Sequence, residues 1–568
     1  MAMLTRRDLA SLGAATAVLG LASPRAFAQQ RITQAELLKF DAVGQVTLLH
    51  FTDIHAQLVP LHFREPSVNI GVGESTGLPP HLVGKHLLAA YGLKADTPEA
   101  HALTGGDFAA LAKSYGKIGG LDRMATLVKA IRAERQGKML LLDGGDTWQG
   151  SYTSLKSGGE DMVEAMNALG VDAMTGHWEF TYGADRVKTL AAKLKFPFLA
   201  SNIKDTGFGD PVFEPDMVVE RGGLSIGVIG QAFPYTPVAN PRWMIPDWSF
   251  GIEEERIRAR VAALREKKVD LVVLLSHNGF DVDRKLAARV EGIDVILTGH
   301  THDAIPRPVQ VGETLLIAPG SHGKFLARLD LEVKDRRVAG WRFKLIPLFA
   351  DAIAPDPDMA ALIGRIRAPH VAFLSKELAR TESLLYRRGN FNGTFDDLIC
   401  EALLQERDAE IALSPGFRWG ATVLPGQPIT VEDVYNQTAI TYPAVYRVGM
   451  KGSHLKTVLE DVADNLFNPD PYYQQGGDMV RVGGLSYAID VSRPMGQRIS
   501  DMTLLRTGKP VDPDREYAVA GWASVNEGTQ GPPVYDLLTK YLTDRKSVRI
   551  EENRQVRVSG ADPRGLDI

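Results

Sequence analysis

Between about residues 45 and 345, short apolar runs alternate with amphipathic stretches, and this alternation restricts the fold more than any other feature of the chain. The runs are "QVTLLHFTD", "KMLLLDGGD", "DAMTGHW", "LSIGVIG", "DLVVLLSHN" and "IDVILTGH". Between them stand "GLDRMATLVKAIRAE", "EDMVEAMNALG", "ADRVKTLAAKLK" and "EEERIRARVAALREKK". Strands this continuously apolar are buried on both faces, so helices must cover the sheet, and a layered α/β fold is expected. In such folds ligands sit just beyond the strand ends. That is where this chain keeps its Asp and His residues.

A length of 568 residues predicts two domains, and the pattern places them. Residues 1–28 read as a twin-arginine signal peptide: Arg6 and Arg7, an apolar run from Leu9 to Ala22, and Ala26-Phe27-Ala28 as the cleavage site. That run is too short to span a bilayer. A periplasmic protein with no membrane anchor after cleavage is expected. Residues 40–350 are expected to form the first, larger domain, interrupted at 58–115 by an insertion rich in Gly, Pro and His. Residues 351–380 are expected to be a linker helix, and 381–568 a C-terminal substrate-binding domain. A formal net charge of −5, with no Lys/Arg run, gives no case for nucleic acid. The single cysteine, Cys400, sits among apolar neighbours in "TFDDLICEALL" and is expected to be buried and inert.

Five segments end in metal-type ligands: "HFTDIHAQ" (Asp53, His55), "LLDGGDTWQGS" (Asp146), "TGHWEF" (His177), "VVLLSHNG" (His277) and "LTGHTHD" (His300, His302). Any one of these histidines alone reads as a satisfied core residue. Together, each after an apolar run, they read as a metal site. Gly145, Gly176 and Gly299, each preceding a candidate ligand, let the backbone turn sharply there. No thiolate is involved, and an N/O site suits manganese, iron or zinc.

The order D-x-H, G-D, G-H-x-E, H, G-H-x-H resembles the calcineurin-like metallophosphoesterases, and specifically their 5′-nucleotidase branch. "PGFRWGATVLPGQPITVEDV" and "GSHLKTVLED" extend the likeness into the second half. The resemblance implies an N-terminal β-sandwich flanked by helices and a smaller α/β C-terminal domain. It also implies two divalent metals. Asp53, His55, Asp146 and His302 would hold one, with Asp146 bridging to a second held by His177, His277 and His300. Arg418, matching the arginine of the branch's N-G-G-G-I-R segment, would grip the substrate anion, though Ser-Pro-Gly-Phe replaces the glycines before it.

Against the family's G-N-H-E-F-D this chain reads Gly176, His177, Trp178, Glu179, Phe180, Thr181. The ligand asparagine has become His177. The catalytic histidine has become Trp178, and its orienting aspartate Thr181. A phosphate ester profits from protonation of its leaving group, whereas a sulfur leaving group departs without an acid. "GHWEF", "LLDGGDTWQGS", "GGDMVRVGGLSYAID" and the twin-arginine signal resemble the thiosulfohydrolases of bacterial thiosulfate oxidation. What that implies is a dimanganese enzyme in which a metal-bridging hydroxide removes a sulfonate group from a cysteine-bound S-thiosulfonate on the SoxYZ carrier, releasing sulfate. Trp178 would wall the site. The competing readings are a periplasmic 5′-nucleotidase-like phosphoesterase and a non-catalytic docking scaffold. Glu179 and Asp143 are expected to be structural, Asp107 a decoy, and His322 to stand behind the ligands. A nucleobase-stacking pair cannot be picked from Tyr472, Tyr473 and Tyr487.

Overall fold

The computed structural model describes residues 32–552 and 555–567, so the signal-peptide segment 1–28 lies outside the described residues. The strands that build the catalytic domain are Val46–Phe51 (β1), Met139–Asp143 (β2), Ala173–Met174 (β3), Asp216–Arg221 (β4), Leu224–Gln231 (β5), Leu271–Ser276 (β6), Val295–Thr298 (β7), Val309–Val311 (β8), Thr314–Ile317 (β9), Phe325–Lys334 (β10) and Arg337–Pro347 (β11). They form two sheets, ordered β11-β10-β1-β2-β3 and β8-β9-β7-β6-β5-β4. β1, β2 and β3 run parallel, as do β5, β6, β7 and β9. Their C-terminal ends therefore open on one side of each sheet.

The alternation of the pleat sorts the apolar runs into layers. Leu48, Leu142, Leu329, Val228, Val273 and Leu297 meet between the two sheets. Their neighbours Leu49 and Leu141 face outward under the helices Leu121–Glu134 and Glu160–Leu169. Val272, Leu274 and Ile296 face the helices Glu254–Glu266 and Phe280–Arg289 on the far side. Each fully buried Leu or Val contributes roughly 1.5–3 kcal/mol. This β-sandwich flanked by helices is the mixed α/β architecture expected, and it is the rigid frame from which the ligand loops project.

Residues 58–115 contain three short helices, Gly84–Tyr91, Pro98–Leu103 and Phe108–Tyr115. Residues 63–65 and the helix Pro98–Leu103 are pinned to the sandwich by the buried Lys324, whose Nζ donates to Glu65 Oε1 (2.5 Å) and to the carbonyls of Ala102 (3.0 Å) and Phe63 (3.3 Å).

The linker differs from the single helix expected over 351–380. The chain forms helix Pro357–Arg367, breaks, forms a short helix Val371–Leu374 and enters strand Glu377–Thr381. Pro369 explains the break, because it has no N–H to continue the helical ladder, although Ala368 before it is still helical at φ −49° and ψ −43°. The C-terminal region is α/β, with a four-stranded sheet ordered Val445–Lys451, Glu516–Trp522, Ile411–Ser414, Arg481–Gly483. Cys400 is buried in the helix Thr394–Glu406, and burial drives its thiol well above the ordinary value, which keeps it inert. No described helix is long and apolar enough to cross a membrane.

Candidate metal centre

All seven predicted ligands lie on loops beyond strand ends: Asp53 and His55 after β1, Asp146 after β2, His177 after β3, His277 after β6, His300 and His302 after β7. The run "DAMTGHW" is strand only at its start. His177 is already in the loop, and Trp178–Tyr182 form a 3-10 turn. Five of the seven adopt left-handed backbone, with φ of 52° at Asp53, 49° at His55, 56° at Asp146, 74° at His300 and 60° at His302. Such conformations cost a side-chain-bearing residue about 1–3 kcal/mol and persist only where surroundings over-determine them. Here they do: Asp53 N donates to Gly145 O (2.8 Å), His55 N to Asp146 O (2.8 Å), and His322 N to Asp53 O (2.8 Å).

Glu179 ties the β2 and β3 loops together. Its fully buried carboxylate accepts the backbone N–H groups of Thr147 (2.6 Å), His177 (2.8 Å), Trp148 (3.1 Å) and Asp146 (3.3 Å). It is a backbone clamp beneath two candidate ligands, as its exclusion from the ligand set implied. Among the three glycines, only Gly145 has left-handed backbone, at φ 90°. Gly299 is needed for space, since a Cβ there would fall 2.5 Å from Thr52 Oγ1 and 2.9 Å from His277 Nδ1.

The ligand atoms fall into two buried groups that share one residue: Asp146, His177, His277 and His300, and Asp53, His55, Asp146 and His302, with each group's atoms within 4.8 Å of one another. Asp146 Oδ2 stands between them, 3.1 Å from His277 Nε2, 3.2 Å from His177 Nδ1 and 3.8 Å from His55 Nε2. Backbone carbonyls orient three imidazoles: Gln149 O for His55 Nδ1 (3.2 Å), Gly144 O for His277 Nδ1 (2.6 Å) and Gln475 O for His300 Nε2 (3.1 Å). This is how proteins direct the opposite ring nitrogen at a metal. Nitrogens of His177, His300 and His302 are buried without a protein partner. An N/O set of this size, sharing a carboxylate, fits two divalent metals.

Burial lowers the pKa of His55 and His177 and holds His300 and His302 well below the ordinary value, so these four present neutral imidazole, the ligating form. Burial acts against His277 as well, but the Asp146 and Asp53 carboxylates outweigh it and hold that imidazole up at about 10. In return, although burial would raise Asp146, His177 and His277 pull its carboxyl well below the usual range. The raised imidazole of His277 between two carboxylates marks a place where positive charge is favoured.

A cleft of about 320 Å³ opens over the centre, lined by Asp146, His177, His300 and His302 on one side and by Phe417, Arg418 and Trp419 of the C-terminal domain on the other. Trp178 walls it. It is 7% exposed, its ring edge-on to Phe417 (5.0 Å between rings) and to Trp419 (6.4 Å), while its backbone N–H donates to Asp146 Oδ1 (2.7 Å). Arg418 lines the cleft and is held by Thr301 O (Nη1, 3.1 Å) and Asp478 Oδ1 (Nε, 3.3 Å). Thr301 is the residue between His300 and His302, so the C-terminal domain grips the ligand loop directly.

Asp143 stays off the centre, bonded to Gly145 N (3.0 Å) and Thr147 Oγ1 (2.8 Å). Asp107 is exposed at the start of helix Phe108–Tyr115. His322 lies behind the ligands, 5.5 Å from the His55 ring, and accepts Gly420 N at 3.2 Å. The three tyrosines do not line the cleft: Tyr487 is buried in the C-terminal core, Tyr472 bonds Glu254 and Tyr473 is exposed. Its aromatic walls are Trp178, Phe233, Phe417 and Trp419. Sequence reading missed the carbonyl of Gln475, for which the "GGD" that follows it, with its close backbone approach to His300, was the available signal.

Residues 46–304 match the model of the calcineurin-like phosphoesterase family, and residues 371–538 that of the 5′-nucleotidase C-terminal domain. The chain belongs to the calcineurin-like phosphoesterase family, in its 5′-nucleotidase branch. Within that branch it is similar to the sulfate thiohydrolase SoxB of Thermus thermophilus, solved in complex with glycerol. The two share 38% identity with a TM-score of 0.88, covering 92% of this chain and 98% of that one. It is also 27% identical over 454 residues to a rat 5′-nucleotidase, covering 71% of this chain and 76% of that protein. A 5′-nucleotidase precursor from Thermus thermophilus, at 22% identity, shares the fold, with a TM-score of 0.73 over 91% of this chain and all of that one.

Proposed function

We propose that this metal-dependent hydrolase acts in the periplasm on a cysteine-bound S-thiosulfonate of the SoxYZ carrier. The observation that carries this reading is Trp178, a ring with no transferable proton at the family's catalytic-histidine position, with Thr181 in place of the orienting aspartate. Every histidine lining the cleft among the described residues belongs to the two candidate metal groups. A nucleotidase stripped of its acid is suited to a leaving group that needs none.

The balanced reaction is R–S–S–SO₃⁻ + H₂O → R–S–S⁻ + SO₄²⁻ + 2H⁺: the sulfur–sulfonate bond breaks, an oxygen–sulfur bond forms, and the persulfide leaves as its anion. Two divalent ions, which we take to be manganese, would be held by the seven residues named above and would supply water activation and charge neutralisation. Arg418, planar and permanently charged, binds the sulfonate oxygens. Trp178, Phe417 and Trp419 exclude bulk water around the leaving sulfur. Similarity to the rat 5′-nucleotidase favours a second reading, phosphoester hydrolysis. Giving the manganese-loaded protein a carrier S-thiosulfonate and, separately, AMP decides between them. Sulfate from the first alone is expected; phosphate from AMP with an untouched adduct overturns the proposal.

A further inference from the structure

Asn240 is 3% exposed, lines the catalytic cleft together with Phe233 and Trp178, and has neither its amide N–H₂ nor its amide oxygen paired. Among the described cleft residues it alone has both a buried donor and a buried acceptor without a protein partner. A buried amide left so loses both hydrogen bonds it makes in water, and native structures satisfy such groups with a ligand or a bound water. The main chain here is anchored: Asn240 N donates to Thr236 O (3.0 Å), closing the short helix Thr236–Ala239, and Pro241 fixes the next φ. The side chain is thus presented from a held position.

A carboxamide offers a donor and an acceptor side by side, the complement of a peptide group's C=O and N–H. It matches neither a sulfonate, which only accepts, nor an alkyl chain. The same segment presents Val238, 63% exposed at the cleft, and Trp243, 44% exposed. Its Tyr235 hydroxyl bonds the carbonyl of Tyr472, next to the 65% exposed Tyr473. An apolar rim around a buried amide suits an incoming polypeptide better than a free anion.

We propose that Asn240 is a specificity-determining residue that pairs with the peptide backbone flanking the modified cysteine, so that the site selects a protein-borne sulfonate over a free one. This rests on the sulfonate reading above.

The test compares two probes with the same reacting group, the S-thiosulfonates of N-acetylcysteine methylamide and of propanethiol, in the parent protein and in Asn240→Leu and Asn240→Asp. The parent is expected to prefer the peptide probe in kcat/KM. Both variants should lose about tenfold on that probe and change less than about twofold on the alkyl probe. The two probes carry the same charge, so any repulsion from the introduced aspartate cancels in their ratio, and a folding defect lowers both alike. Sulfate from both probes with an unchanged ratio in the variants overturns the role of Asn240 while leaving the sulfonate reading intact. No sulfate from either probe in the parent overturns both.

Discussion

His55 Nε2 lies 3.0 Å from His302 Nε2, and the latter lies 3.1 Å from Asp53 Oδ1. The Nδ1–H of His55 is used on Gln149 O, so its Nε2 carries a lone pair facing His302 Nε2 and the Asp53 carboxylate, a gathering of buried ligand atoms that suits a cation. Chelating the metal-loaded protein is therefore expected to abolish turnover and lower Tm by several degrees. An ion present at a hundredfold excess over its Kd stabilises by about 2.7 kcal/mol. Manganese should restore both, and His302→Ala should retain one ion of two by elemental analysis. An unchanged Tm after complete metal removal would rule out the centre described above.

Restoring the family's acid should restore the family's chemistry. In the double substitution W178H/T181D the new imidazole would stand over the centre with an aspartate in place of Thr181, whose hydroxyl now bonds Trp178 O at 2.7 Å. Phosphate release from AMP is expected to rise by a factor of 10² or more, the lower end of what a general acid supplies. Removing the ring from its aromatic contacts should cost about 3–5 kcal/mol, read as a lowered Tm. No gain in phosphatase activity in a folded, metal-loaded double variant would show that Trp178 does not occupy the acid's place.

Stability in acid should report on the insertion. Burial lowers His101 to about 4, with Lys324 adding to the effect, while its Nε2 bonds Gly116 O at 3.3 Å. The folded pKa is depressed, so the unfolded chain takes up the proton first. The stabilisation is complete above about 6.5, the ordinary histidine value, and is lost progressively as pH falls toward about 4. His101→Gln keeps a donor and cannot ionise. Its denaturation midpoint should decline less steeply than the parent's over that window, and parallel curves would exclude His101 as a source of acid sensitivity.

The ligand set could be read because each ligand follows a short, strongly apolar strand, and because Asp-x-His and Gly-His-x-His are local patterns. What the seven residues share in space follows from the two-sheet sandwich; the alternation of strands and helices implied only a helix-covered sheet, and the sandwich itself came from the likeness to the metallophosphoesterases. The left-handed backbone at Asp53, His55, Asp146, His300 and His302 was not legible, because tertiary hydrogen bonds impose it on residues that do not favour it. Asn240 was invisible for a related reason: an unpaired amide is a property of its surroundings, not of "VANPRW". The linker was misread because apolar periodicity carried on past Pro369, and the break depended on one missing N–H. Trp178 was read as a wall of the site from its motif, whereas its companions Phe233, Phe417 and Trp419 carried no such local signal, and none of the three tyrosines considered for base stacking lines the cleft.

The ligand loop His300–Thr301–His302 is held from across the cleft, by Arg418 on Thr301 O and by Gln475 O on His300. Any separation of the C-terminal domain from the sandwich must first let go of that loop. Ion retention would then gauge closure: a molecule separated there would hold cations less firmly, and by reciprocity each cation bound would draw the two halves together.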